Sequence, residues 1–143
     1  MKPQHFFLLG ISLTMAMCRP ATPDPADRYV GTWDCQASVT ETGVQSARSF
    51  KELPIVNISK LDANNVKITF PDSSSLQMNA ELVNRKLVIR RQDTYLYATG
   101  RYNGRVTVLG DGDFNNTKLT LIYTATAGTQ SYTRSVQLAG TKR

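Results

Sequence analysis

The side chains equipped for chemistry are few in this chain, and their spacing sets them apart. Its one histidine, His5, lies in an apolar N-terminal stretch. Everything after that stretch lacks the usual general base and the commonest metal ligand. Ser-His and Cys-His hydrolysis depend on such a base. Neither a Gly-x-Ser-x-Gly elbow nor a phosphate-cradling glycine loop is present. Asp111-Gly-Asp113-Phe-Asn115 copies the opening of a calcium loop, but Asn116 stands where the loop needs Gly and Ile122 where it needs Glu. The 11 acids show no spacing along strands that singles out a pair for glycoside chemistry. The reading is therefore no enzyme, no cofactor and no metal site. Tyr95, Tyr97, Tyr102, Tyr123 and Tyr132 fit either a stacking surface for sugars or cross-strand aromatic pairing.

Two cysteines remain. Cys35 is expected to face inward beside Trp33 as a small buried hydrophobe. Cys18 directly follows an apolar run of 12 residues, Phe6 to Met17, itself preceded by Lys2. That run suits an export signal and is too short to span a bilayer. A Cys at this place resembles the acylated first residue of a bacterial lipoprotein, with Met17 where Gly, Ala or Ser is usual. The alternative is ordinary signal cleavage, for example after Ala16, leaving a thiol at Cys18 that could bridge to Cys35. Acyl chains would hold the protein on a membrane, at about 0.8 kcal/mol per buried CH₂.

Composition bounds the partners. With 17 Lys+Arg against 11 Asp+Glu the net charge is +6, and the basic residues are scattered, which speaks against nucleic acid. Residues 1–17 read as a signal peptide. Residues 18–28, with prolines at 20, 23 and 25, read as a lipidated Cys and an extended tether. Residues 29–143 read as one domain.

That domain is expected to be all-β. Trp33, Cys35, Ala37 and Val39 alternate with Asp34, Gln36, Ser38 and Thr40, and Glu41-Thr-Gly43 reads as a turn. Further strands are expected over 55–60, 66–70, 76–82, 86–92, 94–102, 106–108, 119–125 and 132–138. Tyr95 and Tyr97 compete with Leu96 and Ala98 for the inner face of theirs. Asn103-Gly104 carries the strongest hairpin signal, and Gly110-Asp-Gly112 reads as another turn. Tyr132, Arg134, Val136 and Leu138 share the last inner face. Short connections make an antiparallel meander, and about eight strands can close into a small barrel; a half-open barrel or β-sandwich is the runner-up.

Gly31-Thr-Trp33 at the head of the first strand resembles the Gly-x-Trp signature of lipocalin-like barrels. In their order, Cys18, Tyr29/Gly31/Trp33, Ile89 to Gln92, Gly110/Gly112 and Tyr123 resemble the small lipocalin-like (calycin-like) β-barrel lipoproteins of Bacteroidetes-type bacteria. The resemblance implies a barrel-closing role for Gly31 and Trp33 and a last-strand Arg, for which Arg134 is the candidate, capping the Trp. It also implies an address, the cell envelope, with Cys18 as the lipidated residue.

The expected function is an exported, membrane-anchored protein with a non-catalytic binding or envelope-support role, secreted if Cys18 is not acylated. A barrel this small is either filled by side chains or holds one small apolar ligand, with Phe70, Met78, Leu121 and Tyr123 as candidate lining. The alternative is a barrel inhibitor of a secreted protease or other hydrolase, with the linker or the Asp72–Ser75 turn as its reactive element.

Overall fold

A computed structural model of the chain describes residues 22–43, 46–71, 75–98, 101–115, 117–128 and 132–143. The signal segment and Cys18 lie outside the described residues, as does most of the Asp72–Ser75 turn. Among the described residues nine antiparallel strands follow one 3-10 turn, Pro25–Arg28. They are β1 (Gly31–Thr42), β2 (Arg48–Glu52), β3 (Ile55–Lys60), β4 (Asn65–Thr69), β5 (Gln77–Val83), β6 (Lys86–Ala98), β7 (Tyr102–Asn115), β8 (Lys118–Ala127) and β9 (Tyr132–Lys142). From β3 onward each strand pairs with the next, and β9 pairs back along β1 from Trp33↔Lys142 to Thr42↔Thr133. The sheet is thus a closed eight-stranded barrel with one extra strand, as the alternation predicted.

The extra strand has a covalent cause. β2 and β3 lie in one continuous register on the same edge of β1, Ala37↔Glu52 leading on to Asp34↔Ile55. Pro54 interrupts the run, because it has no N–H to give the ladder. Its carbonyl still accepts the Cys35 N–H at 3.1 Å. β3 continues the barrel through β4, whereas β2 pairs with β1 alone. Period-2 alternation underestimated this segment, since β2 buries none of its residues fully.

Two turn expectations and one strand division are corrected. Asn103 and Gly104 lie inside β7, opposite Tyr97 and Leu96. The Tyr102 hydroxyl folds back over Gly104, 3.0 Å from where a Cβ would stand, and donates to the Arg105 carbonyl at 2.7 Å. Close approach, not a turn, selects that glycine. Gly110 and Gly112 are also mid-strand: a Cβ on Gly110 would run into the Ile122 carbonyl and come within 2.8 Å of the Tyr123 Cα. The segments expected over 86–92 and 94–102 are one strand, β6, with a register shift between Ile89 and Gln92. At that bulge the Gln92 carboxamide replaces the ladder, accepting the Asn79 N–H at 2.9 Å and donating to the Asn79 carbonyl at 2.7 Å. The shift also settles the inner face of the second half: Leu96 and Ala98 are buried, while Tyr95 and Tyr97 stand in solvent.

The extended tether expected over 18–28 gives way to packed structure at Pro25. Ala26 is fully buried and its N–H reaches the Ala63 carbonyl at 3.2 Å. Lys60 holds Asp24 and Asp27 beside it.

Candidate functional site

The two ends of the barrel differ in chemistry. At one end the alternation of β1 drives Trp33 inward until it is wholly buried, with its indole N–H on the Tyr29 carbonyl at 2.9 Å. Phe114 meets the indole edge-on at 5.7 Å. Gly31 takes φ +140°, a conformation glycine adopts freely. The Lys142 stem lies 2.5 Å from where a Gly31 Cβ would be, and its ammonium sits 5.8 Å from the Trp33 ring centroid. Arg134 does not cap this ring. It faces Glu41, whereas Trp33 faces Lys142, so eight strand residues, about 27 Å, separate them.

At the other end Glu41 continues the inward parity of Trp33, Cys35, Ala37 and Val39, and is fully buried rather than in a turn. Arg134, buried on the facing strand, contacts it at 2.6 Å and reaches Glu52 of β2 at 2.7 Å. Arg48 meets Glu41 at 2.8 Å, Arg101 at 3.5 Å, and the Tyr132 hydroxyl donates to it at 2.8 Å. Burial pushes the Glu41 carboxyl up, but hydrogen bonds from Tyr132, Arg48 and Arg134 outweigh it and leave the group below its ordinary value. Tyr132 stacks on Tyr102 at 4.8 Å. Burial pushes Tyr132 well up and Tyr123 up to about 12, so both stay neutral and Tyr132 keeps the proton it donates to Glu41. The Arg134 Nε has no hydrogen-bond partner among the described residues. Each carboxylate here is matched by guanidinium, an arrangement that fixes strands rather than moves protons.

Sequence reasoning put Arg134 on the inner face but missed its partner. The signal was available, since a buried arginine needs a buried acid and Glu41 stands on the inner parity of β1.

Phe70, Met78, Leu121 and Tyr123 all point inward and are buried. Phe70 and Tyr123 pack ring to ring at 5.6 Å, within one core cluster that includes Leu76, Ile68 and Leu119. Cys35 is buried against Gly140, where burial raises its thiol to about 11.

An open groove of about 420 Å³ lies on the outer wall, across β2, β1, β9 and β8. Gln36, Ser38, Thr120 and Gln137 supply amides and hydroxyls, Leu53 and Ile122 supply exposed aliphatic surface, and Lys51 and Glu52 place one charge of each sign at the β2 border. The outward positions of Gln36–Thr42, Thr120–Thr126 and Thr133–Ala139 carry no charge, whereas the wall of β4 to β6 carries Lys67, Glu81, Lys86 and Arg90. Among the described residues no group of His, Cys, Asp and Glu is placed to hold a metal.

No family model matches the chain, and no curated protein matches it. A crystal structure from Bacteroides ovatus, described as structural genomics of unknown function, is similar, with a TM-score of 0.57 and 12% identity. The likeness covers 79% of this chain and 41% of that one, so the present chain spans less than half the length of its neighbour. At that identity the likeness establishes the antiparallel β-barrel fold.

Proposed function

We propose that this protein is a non-catalytic binding module of the cell envelope, exported by its N-terminal signal and tethered through an acylated Cys18, as in the lipocalin-like lipoproteins it resembles. Its binding surface is the outer groove over β8, β9, β1 and β2. The observation that carries this is the contrast between wall and interior: the candidate lining residues Phe70, Met78, Leu121 and Tyr123 pack on one another, while the groove stands open. Amides and hydroxyls beside Leu53 and Ile122, with Lys51 and Glu52 at the β2 border, suit a ligand with both polar and aliphatic faces. The acids also favour binding over catalysis. Asp34 is held by Arg143, Glu81 by Arg90, Asp24 and Asp27 by Lys60, and Glu41 and Glu52 by the arginine network.

Native mass spectrometry on protein released from its own envelope tests the reading. The expected result is an acylated chain carrying a bound mass that a Gln137→Arg variant, which fills the groove, no longer carries. An unacylated chain, or a bound mass that survives Gln137→Arg, would refute it.

A further inference from the structure

We infer that β2 is a docking edge for a second copy of this chain, the two β2 strands pairing antiparallel about a two-fold axis at Phe50. In the β1–β2 ladder Pro54 accepts from Cys35, so by alternation Glu52, Phe50 and Arg48 turn their backbone groups toward β1. Ser49, Lys51 and Leu53 then turn theirs the other way. No strand pairs with that side, and no backbone hydrogen bond is made from it among the described residues. Arg48, Ser49, Lys51 and Leu53 are exposed. In an otherwise closed barrel this is an open edge, the feature that templates strand addition.

Charge selects both the occupant and the register. Only even registers bring outward-turned backbone groups face to face. With Phe50 on the axis, Ser49 faces the second copy's Lys51 in the hydrogen-bonded positions. Arg48 then faces the second copy's Glu52 twice over, in the non-hydrogen-bonded positions where side chains stand closest. The arginine network would run on between the copies, because Arg48 already holds Glu41 and Glu52 already holds Arg134. Sliding by one pair in one direction sets Lys51 against the second copy's Lys51, and like charges directly opposite are unfavourable; sliding the other way sets Ser49 against Ser49 and loses both Arg48–Glu52 pairs. A two-fold interface matches one patch to itself, and Arg48-Ser-Phe-Lys-Glu52 is such a patch.

The test uses the full chain carrying Cys18→Ser, secreted through its own leader, in sedimentation velocity. An edge contact is small and therefore weak, so half-dimerisation is expected at about 0.1 mM. Lys51→Pro removes an outward N–H that takes no part in the β1 ladder, and should raise the dissociation constant at least about tenfold. Disulfide trapping reads the register. Phe50→Cys on the axis places its Cα about 4.5 Å from its mate and should cross-link on oxidation, while Lys51→Cys, beyond about 7 Å, should not. A monomer at about 1 mM, a dimer undiminished by Lys51→Pro, or cross-linking through Lys51→Cys in place of Phe50→Cys would each overturn the inference. Lys51 lines the groove but Phe50 does not, so the wild-type association and the Phe50→Cys cross-link are read independently of groove binding.

Discussion

Glu41→Gln is the sharpest perturbation of this barrel, because it removes one charge from a buried network and little volume. Arg134 has about 4% of its side chain exposed and cannot reach water, whereas Arg48, at 44%, can turn out to solvent. The cost therefore falls on Arg134. Removing one partner of a buried pair costs about 3–5 kcal/mol. Arg134 keeps Glu52, and Tyr132 can still donate to the new amide oxygen, so the lower figure applies, about 3 kcal/mol. That is a large part of a total of about 5–15 kcal/mol, and lowers Tm by roughly 12 °C. Urea titration followed by Trp33 fluorescence measures it, since the single Trp is buried at the opposite end and reports global unfolding. Arg134→Met should cost a similar amount, and Glu41→Gln with Arg134→Met should cost less than the two singles summed, by about 2 kcal/mol, as neither member of the pair is then left as a buried charge facing a lost partner. A Glu41→Gln loss under about 1 kcal/mol, or strict additivity in the double variant, would refute the reasoning.

Acid should weaken the same network. The Glu41 carboxyl is held below its ordinary value, so its contribution is complete above the unfolded value of about 4.3 and lost as pH falls through the folded one. Urea midpoints should be flat from about pH 5 to 7 and drop below about pH 4, with the drop reduced in Glu41→Gln. Gly110→Ala should cost about 3 kcal/mol or more, since the new Cβ meets the backbone of Ile122 and Tyr123, which cannot swing aside; a urea midpoint within error of wild type would show that β7 and β8 can separate. The Cys35 thiol should resist a disulfide reagent at pH 8 until the protein unfolds; labelling at the native rate of an exposed thiol would contradict its burial.

Much of the barrel was legible because its side chains alternate. Trp33 to Val39 and Tyr132 to Leu138 fall on the inner face as read, and the strands close as a meander should. The misplaced turns at Gly104 and at Gly110 share one cause: glycine signals a turn and a close approach with the same letter. Gly104 makes room for Tyr102, and Gly110 for the backbone of β8, contacts between residues distant in space rather than in sequence. The arginine network was half visible. Arg134 lies in an apolar row, but its partner required knowing that β1 and β9 are neighbours, a pairing of the chain's two ends that no local pattern contains. Gln92 was noticed as part of a motif, yet its role as a substitute ladder rung depends on the bulge beside it.

The docked turn at Pro25–Arg28 sets a heading. Only three residues lie between Cys18 and Thr22, four Cα steps and at most about 14 Å of chain. A lipid carried on Cys18 would therefore keep the indole end close above the bilayer and point the arginine rim outward, with the grooved flank upright between them. The leash is too short for the barrel to turn over, so neighbouring molecules would stand side by side with their open edges at one common height.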